Sequence, residues 1–259
     1  MAIPFIKASA CGNDFLIIDG ALAPADPAAF TRRICDRRNG VGADGVEWLS
    51  PAPGVDIEAR LINADGSPAE ISGNGTRCVA AYLCSERRNE SFLIRTGAGD
   101  RRCTLTSTSG SRYEFETEMG KPDVGEARSV TVEAREILGI PVSMGNPHFV
   151  VFVETFPEDW QQRSVAIQRD ASFPKGVNVE FVRVIARDRI AVHFYERGVG
   201  ETLSSGTGSS AAAAAAIATK QVKSTVHVDA AGGTQVVRWT DDLYLRGSAD
   251  LICRGEFFE

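Results

Sequence analysis

No apolar run in the 259 residues approaches the ~20 needed to span a bilayer, and the least polar stretch, Ala211 to Ala218, is far shorter. A membrane span is therefore not expected. Basic residues are not in excess: 28 Lys plus Arg against 34 Asp plus Glu leave a net charge of −6, which argues against a dedicated binder of nucleic acid or anionic membrane. CxxC spacing is absent among Cys11, Cys35, Cys78, Cys84, Cys103 and Cys253, so neither a disulfide framework nor a zinc centre is expected. Three histidines without paired spacing weaken a metal site further. The N-terminal MAIPFIKASACGNDF lacks the basic region, apolar block and cleavage site of a secretory signal. Reduced thiols and the missing leader together predict a cytoplasmic protein, and a 43% hydrophobic composition supplies core enough for one large domain or for two of about 130 residues.

What the sequence does contain is itself, twice. Gly12-Asn13 opens GNDFLII and Gly145-Asn146 opens GNPHFVV, 133 residues later; SGNGT at 72–76 and SGTGS at 205–209 are separated by the same offset. Two matches at one spacing predict a duplication. The expected architecture is α/β (α+β) with two pseudo-symmetric lobes, residues 1–120 and 121–249, the tail 250–259 returning to the first lobe as a strand. The site is expected in the cleft between them. Strands are predicted at 15–19, 57–62, 92–96 and 113–117 in the first half, and at 149–154, 177–183 and 190–195 in the second. After each SGxG a helix is predicted, over 76–84 and 209–218, apolar or small on every face. A helix without a polar stripe must be buried all round, so each lobe should be a curved mixed or antiparallel sheet wrapped around its helix.

The glycines of SGNG and SGTG allow close approach of a ligand, and the first turn of a helix leaves amide hydrogens without intrahelical partners. Together they predict an anion site that would also stabilise the charge appearing on a carboxylate when its α-carbon loses a proton. Asn63 with Asp65, Asn146 with His148, Asn178, and Glu196 with Arg197 supply donors and acceptors suited to a zwitterionic amino acid. Taken singly, each Asn reads as a turn or cap residue, Glu196-Arg197 as an exposed ion pair, and His148 as a packed core histidine. Cys11 and Cys78 read as structural thiols.

In order along the chain come GNDF (12–15), GVGADG (40–45), NADGSPAE (63–70), GNGTRC (73–78), GNPH (145–148), VNV (177–179), ERGVGET (196–202) and GTG (206–208). With these motifs the chain resembles the diaminopimelate epimerase family over nearly its whole length. The resemblance implies a cofactor-independent isomerase, free of pyridoxal phosphate and of metal, that interconverts LL- and meso-diaminopimelate in lysine and cell-wall biosynthesis, and it suggests a homodimer. By the same resemblance Asn13, Asn63, Asn146, Asn178, Glu196 and Arg197 contact substrate, and Gly73, Asn74, Gly206 and Thr207 supply backbone donors. His148 and Glu196 tune the proton carriers, while Gly45 stands where some members carry a glutamine. Family members have a cysteine before each GxG; here both positions are serine, Ser72 and Ser205. Three readings stay open: the epimerase with serine carriers, a related isomerase or dehydratase of another small acid using His148, Glu196 or Cys11, and a non-catalytic amino-acid-binding protein.

Overall fold

The computed structural model describes residues 2–87, 89–132 and 135–258. Contacts divide the chain into two compact units, one through Thr117 together with the residues from Arg246 onward, the other Glu118–Leu245. No helix among the described residues is long and apolar enough to cross a membrane.

The first unit is built from β1 (Ala2–Ala10), β2 (Asn13–Asp19), α1 (Pro27–Ile34), β3 (Gly45–Ser50), β4 (Ile57–Asn63), β5 (Pro68–Ala69), α2 (Gly73–Glu86), β6 (Ser91–Thr96), β7 (Gly99–Ser109) and β8 (Arg112–Gly120). The second contains β9 (Asp123–Val124), β10 (Arg128–Val132), β11 (Arg135–Ser143), β12 (Pro147–Phe152), α3 (Trp160–Gln168) and β13 (Asn178–Ala186). It continues with β14 (Arg189–Glu196), β15 (Gly200–Thr202), α4 (Gly206–Ala218), β16 (Thr225–Ala230) and β17 (Gly233–Trp239). The last strand, β18 (Leu243–Phe258), leaves the second unit and pairs antiparallel with β1.

The 133-residue offset reaches down to strand register. β2 runs parallel to β3 with Phe15 opposite Gly45, and β12 runs parallel to β13 with His148 opposite Asn178. Glu47 faces Leu61 across the antiparallel β3–β4 pair, and Glu180 faces Phe194 across β13–β14. Even the short strands agree, with Leu61 opposite Ala69 and Phe194 opposite Thr202. Gly12 and Gly145, at equivalent turns, have φ of 85° and 95°, a left-handed conformation that makes glycine the fitting residue at both.

These parallel-containing sheets are buried on both faces, so their strands read as unbroken apolar runs. Phe15 and Ile17 pack against α2, whereas Leu16 and Ile18 join Phe30 and Ile34 of α1 on the other side. In the second unit Val150 and Val182 pack with α4, while Phe149, Val151 and Phe181 meet Trp160 and Ile167 of α3. Thus α2 and α4 are the central helices and α1 and α3 the outer ones. Ala211 through Ala216 are all fully buried. With only methyl groups projecting, the surrounding sheet closes tightly onto the helix backbone.

The expected strands are all present, most of them longer by one to three residues. The helices begin three residues earlier than predicted: Ser72 and Ser205 are the N-caps, and the GxG residues form the first turn instead of a loop before it. A serine cap with extended φ and ψ stops the helix there by satisfying the third amide through its side chain. Helices α1 and α3, strands β1, β3, β7, β10, β11, β16 and β17, and the short strands β5, β9 and β15 were not foreseen.

Replacing Ala213 by Leu should overpack the α4 core and lower unfolding free energy by about 1–3 kcal/mol. Urea unfolding checks this, and an unchanged midpoint would contradict a close-packed central helix.

Candidate active site

In the first unit, Ser72 Oγ accepts the Gly75 amide at 3.0 Å, and the Ser72 carbonyl accepts the Thr76 amide at 2.8 Å. The amide of Gly73 therefore begins the helix without an intrahelical acceptor. The second unit repeats the device: Gly208 donates to Ser205 Oγ at 3.1 Å and Ser209 to the Ser205 carbonyl at 2.9 Å, which leaves Gly206 in the same position.

Asn74 is buried, and its Nδ2 donates to Asn13 Oδ1 at 2.7 Å; its Oδ1 accepts from Arg77. Asn13 in turn donates to Asp44 Oδ2 at 3.1 Å. Asp44 and Asp14 share Arg37, with Lys7 3.0 Å from Asp14. Burial would raise the Asp14 carboxyl, but hydrogen bonds and charge from Arg37 and Lys7 outweigh it and hold the group below its usual range. This network fixes Asn13 beside the helix start. Arg77 is fully buried; its Nη2 also reaches Cys11 Sγ at 3.8 Å, and its Nε and Nη1 have no partner among the described residues. Cys11 is half-buried with φ of 49°, so the buried structural thiol of the sequence reading is replaced by a strained turn thiol beside a cation. Cys78 does belong to the core, and burial pushes its thiol far up.

Asn63 and Asp65 lie in the β4–β5 turn: Asn63 Nδ2 donates to Ser67 Oγ at 3.1 Å, and that hydroxyl donates to Asp65 Oδ1 at 2.6 Å. Gly45 is paired with Asn63. A Cβ there would press on the Ile62 carbonyl at 2.7 Å, so the side chain some relatives are expected to carry at this position has no room in the present backbone.

In the second unit, His148 is not a plain core residue. It is 1% exposed, with Nδ1 2.7 Å from Glu180 Oε1 and Nε2 3.0 Å from Asn146 Oδ1. An amide oxygen only accepts, so Nε2 carries a proton, and the Nδ1–Glu180 contact holds one more between two buried groups. Burial raises the Glu180 carboxyl, His148 opposes that rise, and Glu196 adds to it. Asn178 Nδ2 donates to the Pro147 carbonyl at 3.1 Å while its Oδ1 accepts the Arg197 amide at 2.9 Å, so this asparagine sets the backbone of its neighbours. Glu196 accepts from Thr202 Oγ1 at 3.2 Å, and Arg197 Nη1 donates to the Lys175 carbonyl at 2.9 Å. The two do not form the ion pair that their adjacency suggested among the described residues. Asn146 Nδ2 lies 3.5 Å from Thr207 Oγ1.

Glu47 and Glu180 were missed by sequence reasoning, although the 133-residue offset relates them. A Cβ on Gly75 would strike Glu47 Oε1, and a Cβ on Gly208 would lie 3.0 Å from Glu180 Oε1. Each carboxyl thus lies against the third residue of a central helix. No group of three or more His, Cys, Asp or Glu suited to a metal ion occurs among the described residues.

Residues 5–124 and 140–252 match the family model described as diaminopimelate epimerase. The chain belongs to that family. The diaminopimelate epimerase of Desulforudis audaxviator is 37% identical over 98% of both chains, and that of Carboxydothermus hydrogenoformans is 32% identical over 98% of this chain and 99% of its own. These family members are isomerases by name. Among solved structures, a probable proline racemase from Agrobacterium radiobacter K84 with bound carbonate superimposes with a TM-score of 0.76 at 18% identity, covering 99% of this chain and 93% of its own. A hydroxyproline epimerase from Agrobacterium vitis with bound trans-4-hydroxy-L-proline gives 0.73 at 16% identity, covering 98% and 92%. At these identities the two structures establish the fold.

Burial lifts the Glu47 carboxyl to about 8, so the folded chain holds this proton more tightly than the unfolded one, where glutamate titrates near ~4.3. The unfolded state binds fewer protons between those two values, and stability is lost as pH rises through the window. Glu47→Gln should remove that loss, so its urea midpoint should exceed that of the unmodified protein increasingly from about pH 5 to about pH 8. Parallel midpoint-against-pH curves would show that Glu47 is not a buried titrating group.

Proposed function

We propose that this family member interconverts LL- and meso-diaminopimelate by moving the α-proton without a cofactor, with Ser72 and Ser205 as carriers where the resemblance puts cysteines. The observation that supports this most is a single device present in each unit at the same offset: a serine-capped helix, buried over most of its length, that starts with a glycine amide lacking an intrahelical acceptor. Removing an α-proton places a second negative charge on the substrate carboxylate. Preorganised amides at a helix start stabilise that charge without reorganising during the step. Two-base epimerisation needs one carrier for each face of the α-carbon, and the repeated serine supplies two.

The substrate partner is a small zwitterionic amino acid. In this reading Asn13, Asn63 and Asn146 contact it through amide groups, Gly73, Asn74, Gly206 and Thr207 meet its carboxylate, and Arg197 and Glu196 meet its charged termini. Asn178 acts by fixing the backbone amide of Arg197. His148, gripped by Glu180, orients Asn146 through its Nε2. A serine hydroxyl is a far weaker acid than a thiol and works only when a neighbour takes its proton, so the serine form should be the slower one.

The protein should wash deuterium from heavy water into the α-position of diaminopimelate. The double variant Ser72→Cys, Ser205→Cys should do so at least ~10-fold faster, because thiols at helix N-termini ionise readily. Mass spectrometry of the recovered amino acid reads both rates. Absence of exchange by either protein, folded and saturated with diaminopimelate, would contradict the reading.

A further inference from the structure

Glu47 sits on β3 with its side chain on the same face as Leu49, toward α2, while its neighbours Val46 and Trp48 pack toward α1. Its strand partners, Ile17 on β2 and Leu61 on β4, are apolar and belong to the same α2 core. Glu47 is 3% exposed as a residue, and no hydrogen bond or ion pair to its carboxyl is found among the described residues. Charging a carboxyl at this depth costs stability, and a leucine here would pack at no such cost. Packing therefore gives no reason for a glutamate.

The carboxyl lies at one particular place. The point a Gly75 Cβ would occupy is struck by Glu47 Oε1 and is 3.2 Å from Ser72 Cβ. Ser72 Oγ accepts from the Gly75 amide, and its own hydroxyl proton has no acceptor among the described residues. An unused donor and an unused acceptor thus flank the same glycine. At the equivalent position in the second unit Glu180 is already engaged by His148, whereas the first unit has Phe15 in the place of that histidine. Phenylalanine carries no proton, so Glu47 is left to serve the serine. Other ionisable groups close to this end of α2 are Arg77, Cys78, Cys11 and Asp14; Asp14 is paired with Lys7 and Arg37, and Cys78 is buried and protonated.

We propose that Glu47 is the proton-relay partner of Ser72, which gives this epimerase-family protein a base on a hydroxyl in the first unit. When the substrate Cα–H bond breaks, its proton forms a bond to Ser72 Oγ as the original hydroxyl proton passes to the Glu47 carboxylate. The electron pair stays on the substrate as the charge-delocalised carbanion. In the return direction the Glu47 carboxylic acid reprotonates Ser72 while Ser72 delivers its proton to carbon. No other reactant is consumed. Burial supports the exchange: a carboxyl lifted to about 8 takes a hydroxyl proton more readily than an ordinary carboxylate does. The relay acts through Ser72, and its part in catalysis rests on the reaction proposed above.

Two measurements test it together. In Ser72→Cys, alkylation of the introduced thiol by iodoacetamide, followed by mass spectrometry of its peptide, should titrate with an apparent pKa lowered by about one unit when Glu47→Gln is added. Identical profiles with and without Glu47→Gln would overturn the proposal whatever the activity. In the otherwise unmodified protein, Glu47→Gln should slow α-deuterium exchange of diaminopimelate by ~100-fold with little change in KM and erase a rise of rate toward about pH 8. Glu47→Asp should restore part of the rate and the pH dependence. Equal exchange in Glu47→Gln and the unmodified protein would also overturn it. Distinct thiol profiles with no exchange by the unmodified protein would retain the Glu47–Ser72 coupling and reject the epimerase reading instead.

Discussion

Each candidate site depends on enclosing most of a helix while its first amide begins without an intrahelical acceptor. At the start of a solvated helix the amide dipoles would be screened by water. Here α2 and α4 are walled by apolar strands, so the partial positive charge at their starts acts in a medium of low polarizability, where it counts for more. The composition of the helices follows from this requirement. Only glycine admits Glu47 and Glu180 beside the first turn, and only small side chains let the sheet close on α4.

Much of this arrangement is legible in the chain because the signal is periodic and repeated. Buried strands such as NDFLIID stand out as apolar runs, and an alanine helix with no polar face announces its enclosure. The 133-residue spacing, visible in two short motifs, persists into pairs as particular as Phe15–Gly45 and His148–Asn178. The helix starts were placed three residues late because glycine inside a first turn looks like loop in sequence, where capping geometry cannot be seen. Helix α1 does carry a readable signal, Asp26 capping the Ala29 amide just before Pro27. Helix α3 carries little, since its apolar residues hardly segregate to one side.

The buried carboxylates were harder. A glutamate between Val46 and Trp48 breaks the apolar run of β3 and so conceals the strand, and Glu180 hides in the motif that follows Asn178. Neither reveals its depth until the chain is folded. The roles of the polar residues separated only in the structure as well: Asn178 is spent on backbone and Asn63 Nδ2 reaches a turn serine, whereas Asn13 and Asn146 stand beside the two helix starts. The duplicated halves have thus diverged around a shared frame, one keeping an imidazole–carboxylate pair and the other a lone carboxyl.

The reading proposed above turns on main-chain nitrogen at a helix start holding the substrate carboxylate. Amide NMR of the isotopically labelled protein during titration with diaminopimelate tests it most directly. The Gly73 and Gly206 resonances should each move along a saturating isotherm. If diaminopimelate binds and both resonances stay still, the account is wrong.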